Sequence, residues 1–217
     1  MYRTTFAALI GIVILIVCAW FFMRCVDDCT VLRIVREGDT VIEIVDAACK
    51  EGLPHTTGPH TVRMTEKAWA STRRTTTMNH EHVHLAQKQQ PAEWAEWYRR
   101  YWDYELLTTP PPDLPAMYIQ ALRPNPDTSS APWALWRHRY LFFPNYTTPR
   151  RSLREADVLV WDMDQHKLVP PPPAWTSFFC GNGDCPHQYE HPHEIAAEYT
   201  AEGSTVPAAL KLFAWRA

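Results

Sequence analysis

The spacing of apolar residues changes several times along this chain, and each change marks an expected element. From Phe6 to Met23 the residues read FAALIGIVILIVCAWFFM, about eighteen uncharged positions bounded by Arg3 and Arg24. That is near the length a helix needs to cross a bilayer, and Trp20, Phe21 and Phe22 at its end suit the membrane interface. A cleavable signal peptide, the rival reading, has a shorter apolar core followed by small residues; here bulky aromatics and an arginine follow. The expectation is a retained single-pass anchor. Arg3 and the amino terminus oppose Arg24, Arg33 and Arg36 across it, so charge does not set the orientation. Beyond it the period drops to two: Thr30–Val35 and Thr40–Val45 are β-branched runs of alternating polarity around Arg36-Glu37-Gly38-Asp39, which predicts a β-hairpin. A third strand is expected at Thr61–Thr65.

The period then lengthens. Residues 77–90 read as a helix, with the run Thr75-Thr76-Thr77 available to cap its start. Pro91 ends or kinks it. Trp94, Trp97, Tyr98, Tyr101 and Trp102 recur at steps of three and four, an amphipathic helix whose aromatic stripe is expected to be core. Pro110–Pro112 and Pro170–Pro173 bracket a middle section rich in Trp, Arg and Tyr that reads as irregular. Within it Trp161-Asp162-Met163-Asp164 resembles a strand ending in a turn, with acids of the kind that are usually solvated. A last helix is expected over residues 192–202. These elements divide the chain into a transmembrane anchor at 1–24, a hairpin and connector at 25–60, and a main domain at 61–217.

Composition narrows the function classes. The chain has 217 residues and a formal net charge of −3, so it can bury a real core and carries no electrostatic footprint for nucleic acid. Five cysteines follow the apolar run, Cys25, Cys29, Cys49, Cys180 and Cys185. At least one must stay free or bridge to another chain if the rest pair. Those cysteines and the sequon Asn145-Tyr146-Thr147 favour an extracytoplasmic domain.

The chemistry is concentrated in His80-Glu81-His82-Val83-His84. On a helix His80 and His84 share one face a turn apart, where both imidazoles reach a single ion, and Glu81 sits beside that ion without binding it. The pattern is His-Glu-x-x-His, and it resembles the zinc-binding signature of metallopeptidases. The longer form with a following Gly and third His is ruled out, because Gln87 and Gln90 occupy those positions. Catalytic zinc needs a third protein ligand. The segment around Glu194 and Glu198, again four apart, resembles the gluzincin pattern of zincin-like peptidases. That resemblance implies Glu194 as the third ligand, Glu198 as a carboxylate orienting His80 or His84, and Glu81 as the general base. It also implies an α+β fold, a zincin-like domain in which a small sheet lies beside the His-Glu-x-x-His helix and which one N-terminal transmembrane helix precedes. It covers residues 77–90 and 192–202 only.

Other readings stay open at this point. On a strand His80, His82 and His84 would share a face and make a β-barrel metal site, although Leu85 to Gln89 favour helix. His187, His191 and His193 compete with Glu194 as third ligand. Cys180 and Cys185 are a disulfide, two free thiols, or, with His187 and His191, a second structural zinc site. His187, His191, Tyr189 and Tyr199 are candidates to stabilise an oxyanion. The leading expectation is a membrane-anchored zinc metallopeptidase acting on peptide or protein substrates with Zn2+ as cofactor. The alternatives are a membrane-anchored interaction or structural protein that uses zinc only for its fold, and a metal-free aromatic-rich assembly protein. The carboxylate at Glu81 favours chemistry, since a purely structural site has no need of it.

Overall fold

A computed structural model describes residues 29–180 and 185–202. The apolar run Phe6–Met23, and Cys25 with it, lie outside the described residues. Among the described residues no helix is long and apolar enough to cross a membrane. The chain builds a mixed α+β domain on two small sheets.

The first sheet contains β1 (Val31–Glu37), β2 (Thr40–Val45), β3 (His55–Thr57) and β4 (Thr61–Thr65) in the order β1-β2-β4-β3. β1 and β2 form the expected antiparallel hairpin, with Glu37 opposite Thr40. Its two-residue loop needs a left-handed backbone, which Gly38 supplies at φ +58°. β2 then pairs in parallel with β4, so the division expected at residue 60 runs through the middle of this sheet. Its inner face presents Ile42, Ile44, Val62 and Met64, all 0% exposed. Across its outer face Arg63 donates to Glu43 at 2.7 Å.

Two helices follow directly. A single turn, α1 (Glu66–Trp69), is capped by Thr65, whose Oγ1 accepts from the N–H of Ala68. The long helix α2 (Arg74–Gln89) starts at Arg74 with no side-chain cap, so Thr75, Thr76 and Thr77 lie inside its first turn and do not cap it. Met78 and Leu85 on one side of α2 pack onto the inner face of the first sheet. Val83 and Ala86 face a second, larger core. Pro91 opens α3 (Pro91–Trp102), where its missing N–H costs nothing, and Asp103 closes it in the left-handed region at φ 56°. The stripe is core as expected: Trp94, Trp97, Tyr98 and Trp102 are buried, and Tyr101 keeps 39% exposure.

The middle section departs from expectation. It is not irregular but holds β6 (Trp133–Trp136), β7 (Tyr140–Tyr146), β8 (Ala156–Asp162) and β9 (Lys167–Val169), which continue from β5 (Tyr104–Leu107) as a five-stranded antiparallel meander in the order β5-β6-β7-β8-β9. Phe142 and Val160 face the core shared with α2 and α3, while Leu141, Phe143 and Trp161 face a second cluster with Leu114 and Trp133. A short helix, α4 (Ala116–Gln120), lies on that side and lends Tyr118 to the cluster. Asp162 is not solvated. It is 1% exposed and accepts from Arg139 Nε at 3.0 Å and Nη2 at 2.8 Å. Asn145 is also sealed: it is 8% exposed, and its amide donates to the Tyr118 carbonyl. The sequon therefore has no weight in placing the folded domain.

The chain closes through α5 (Pro173–Phe179) and α6 (Pro192–Glu202). α6 lies along α2, with Ile195, Ala196 and Ala197 buried in the large core. Disulfides join Cys29 to Cys49 and Cys180 to Cys185. The second holds the end of α5 near the approach to α6, and it removes the sulfurs that a structural zinc with His187 and His191 would need.

Candidate metal centre

α2 places His80 and His84 on successive turns of the face that meets α6, and Glu194 comes from the first turn of α6. Their donor atoms converge. His80 Nε2 and His84 Nε2 are 3.0 Å apart, and Glu194 Oε2 lies 3.3 Å from the first and 3.4 Å from the second. Ligand bonds of about 2.0 to 2.1 Å at tetrahedral angles put ligand atoms about 3.3 Å apart, so this triangle has the edge length of a zinc site. His84 and Glu194 are 1% and 2% exposed at their side chains, while His80, at 18%, faces the opening.

The surrounding hydrogen bonds fix which atoms point inward. The His193 carbonyl only accepts, so the 3.1 Å contact from Gln87 identifies the Gln87 nitrogen as Nε2, which also reaches Tyr98 Oη at 3.0 Å. Gln87 Oε1 then faces His84 Nδ1 at 2.7 Å, which makes Nδ1 a donor to Gln87 and turns Nε2 toward the centre. Glu194 is set in the same way. Asn125 Nδ2 donates to Glu194 Oε1 at 2.7 Å, and Asn125 Oδ1 accepts from the N–H of Asp127. Asp127 is itself held by the Thr56 N–H at 3.0 Å and by Lys88 Nζ at 3.0 Å. One loop, 122–128, thus ties β3, α2 and α6 together around the third donor.

Glu81 has a different environment. It is 3% exposed, and its Oε2 has no hydrogen-bond partner among the described residues. Burial pushes its carboxyl up, the nearby charges of Asp127 and Glu194 push the same way, and His84 pulls against them. Burial opposes charge on His84, but the Glu194 carboxylate overcomes it and carries the imidazole up to about 10. Burial likewise opposes charge on Glu194, and His84 with His80 hold that carboxyl well below its ordinary range. The three donors are held together by shared charge, and their atoms lie close enough to one another to hold a metal ion.

The other expected residues are placed as follows. Glu198 does not orient either histidine: its carboxylate accepts from the backbone N–H groups of His187 at 2.8 Å and Gln188 at 3.0 Å, and Gln87 stands behind His84 instead. His191 is turned away from the centre, with Nε2 donating to the Ala131 carbonyl and Nδ1 accepting from the N–H of His193 at the start of α6. His193 is buried against the Tyr98 ring. Of the four oxyanion candidates only His187 lines the cleft; Tyr199 donates to the Phe179 carbonyl and Tyr189 packs on Trp175. His82 is exposed on the far side of α2. Gln87, Asn125 and Asp127 went unseen in the sequence as positioning residues. A second trio, Cys29, Cys49 and His55, also clusters, but its sulfurs are bonded to each other.

The centre lies in a cleft of about 670 Å³ lined from β3, α2, the 122–128 loop and α6. The molecule is thus an α+β domain with a two-histidine, one-glutamate donor set beside an unpartnered buried carboxylate. Comparison with known proteins places it no further: no family model, no curated protein and no solved structure matches the chain.

Proposed function

We propose that this protein is a zinc-dependent peptidase of zincin type, tethered to a membrane through Phe6–Met23. The observation that carries the reading is the convergence of His80 Nε2, His84 Nε2 and Glu194 Oε2 within 3.0 to 3.4 Å, next to a Glu81 oxygen with no partner, on the wall of an open cleft. When bound there, zinc supplies an acidified water and a Lewis acid for the scissile carbonyl. The chain's own residues do the rest. His84 is presented by Gln87 and Glu194 by Asn125, so the donors are positioned before any ligand arrives. Glu81, beside the two histidines on the same helix, accepts a proton from the attacking water and returns it to the leaving amine nitrogen. Its lack of any competing hydrogen bond leaves Oε2 available for that exchange. The disulfides Cys29–Cys49 and Cys180–Cys185 support an extracytoplasmic, oxidising setting for the domain.

The test is hydrolysis of quenched-fluorescence peptides by the full-length chain in detergent. The expected result is cleavage that a chelator abolishes, zinc restores and Glu81→Gln lacks. Cleavage that persists in Glu81→Gln, or its absence from zinc-loaded wild type across a broad peptide set, contradicts the proposal.

A further inference from the structure

The charge of the cleft is unlike that of the chain. The whole molecule carries a formal net charge of −3, yet five cations line this one cleft: Lys50, Lys67, Arg73, Arg123 and Arg154. Of the four acids in its lining three are engaged, and the fourth, Glu81, is the buried acid beside the centre. Glu194 belongs to the centre, Asp127 holds Lys88 and Thr56, and Glu198 holds two backbone N–H groups. Of the cations, Arg123 pairs with Glu190 at 2.6 Å and Arg154 donates to the Glu51 carbonyl at 3.1 Å. The side chains of Lys50, Lys67 and Arg73 have no hydrogen bond or ion pair among the described residues. The imbalance is therefore positive and is left to whatever enters.

The backbone under Lys50 is an independent sign. Lys50, Glu51 and Gly52 all have positive φ, at 45°, 54° and 76°, and for the first two this is a strained conformation that persists only when the surroundings enforce it. Here they do. Cys49 is bonded to Cys29 on one side. On the other, the Glu51 carboxylate accepts from the Leu153 N–H at 3.0 Å and Ser152 Oγ at 2.9 Å. The turn is held from both flanks, and Lys50, its first residue, lines the cleft with no side-chain hydrogen bond or ion pair among the described residues.

We infer that Lys50, Lys67 and Arg73 form an acid-recognition wall, and that the substrate of the proposed peptidase is a peptide segment rich in Asp and Glu. The inference rests on the peptidase reading for the word substrate, but recognition of the acidic peptide stands apart from its cleavage. Electrostatic complementarity of this kind sets specificity, and it weakens with salt because the wall is open to water.

The experiment measures binding. Full-length Glu81→Gln protein, which cannot turn its ligand over, is titrated by fluorescence anisotropy with a labelled acidic decapeptide and with its Gln/Asn counterpart. The acidic peptide is expected to bind about tenfold more tightly, from three solvent-exposed charge pairs. That preference should vanish in Lys50→Ala/Lys67→Ala/Arg73→Ala, and Lys50→Glu alone should shift it toward a basic peptide. Equal affinity for both peptides overturns the inference, as does a preference that survives the triple substitution in a protein with unchanged circular dichroism. Acidic peptides that bind through this wall but are left intact by zinc-loaded wild type would sustain the wall and defeat the peptidase reading. Neutral peptides bound and cleaved as well as acidic ones would do the reverse.

Discussion

Asp162 and Glu81 are both carboxylates sealed inside this domain, at 1% and 3% exposure, and their surroundings are opposite. Asp162 is saturated: Arg139 grips both oxygens, and the backbone N–H groups of Asp164 and Gln165 and the Gln165 side chain donate to them as well. Those bonds, Arg139 foremost, lower it to about 2. Glu81 has an oxygen with no partner, and burial drives it upward. A saturated buried acid ties the turn before β7 to the end of β8 and has no capacity left for chemistry. An unsatisfied one is a cost to folding and keeps its lone pairs open to a ligand.

The sharpest way to break this contrast is to neutralise each acid. Glu81→Gln should lower peptide hydrolysis by about 10²- to 10⁴-fold, the usual range for a general base, while thermal melting shows Tm unchanged or raised. A clear fall in Tm would make Glu81 a structural acid like Asp162. Gln87→Ala should weaken zinc binding about 10- to 100-fold by freeing the His84 ring, as read by chelator competition. Unchanged affinity would detach Gln87 from the centre. Asp162→Ala should cost about 2 kcal/mol of stability in urea unfolding, because it strands several donors, and should leave zinc content untouched.

The smallest effect is on pH. The folded value of Asp162 lies below its ordinary 3.8, so its contribution is complete above that range and is lost as pH falls through about 2. Wild type and Asp162→Asn should therefore differ most in stability near neutrality and converge between pH 4 and 2. A gap that stays constant to pH 2 would show that the carboxylate charge contributes nothing.

The sequence was legible where structure is local. The hairpin, β4, α2 and the aromatic stripe of α3 announce themselves by period, and His80, His84 and Glu194 by spacing on two helices. The meander was hidden for physical reasons. β7 is buried on both faces, Phe142 toward one core and Leu141 and Phe143 toward the other, so it shows no alternation. It also contains Pro144, which argues against an inner strand. The Pro144 carbonyl accepts from the N–H of Arg123, so the missing Pro144 N–H faces the side where β6 has already ended, and no ladder bond is lost. The residues that hold the centre were illegible for another reason. Asn125 reaches Glu194 from 69 positions away and Gln87 reaches His193 from 106, and no local pattern encodes such contacts. In the sequence Gln87 only breaks a longer motif, whereas in the fold it orients His84 through Nδ1.

The proposed function requires that the three converging donors hold a metal. The direct measurement is zinc per chain by elemental analysis of the full-length protein, with His84→Ala and Glu194→Ala alongside. The account predicts about one zinc in wild type, lost or greatly weakened in both variants. Correctly folded wild type without zinc, or zinc held undiminished in Glu194→Ala, would contradict it.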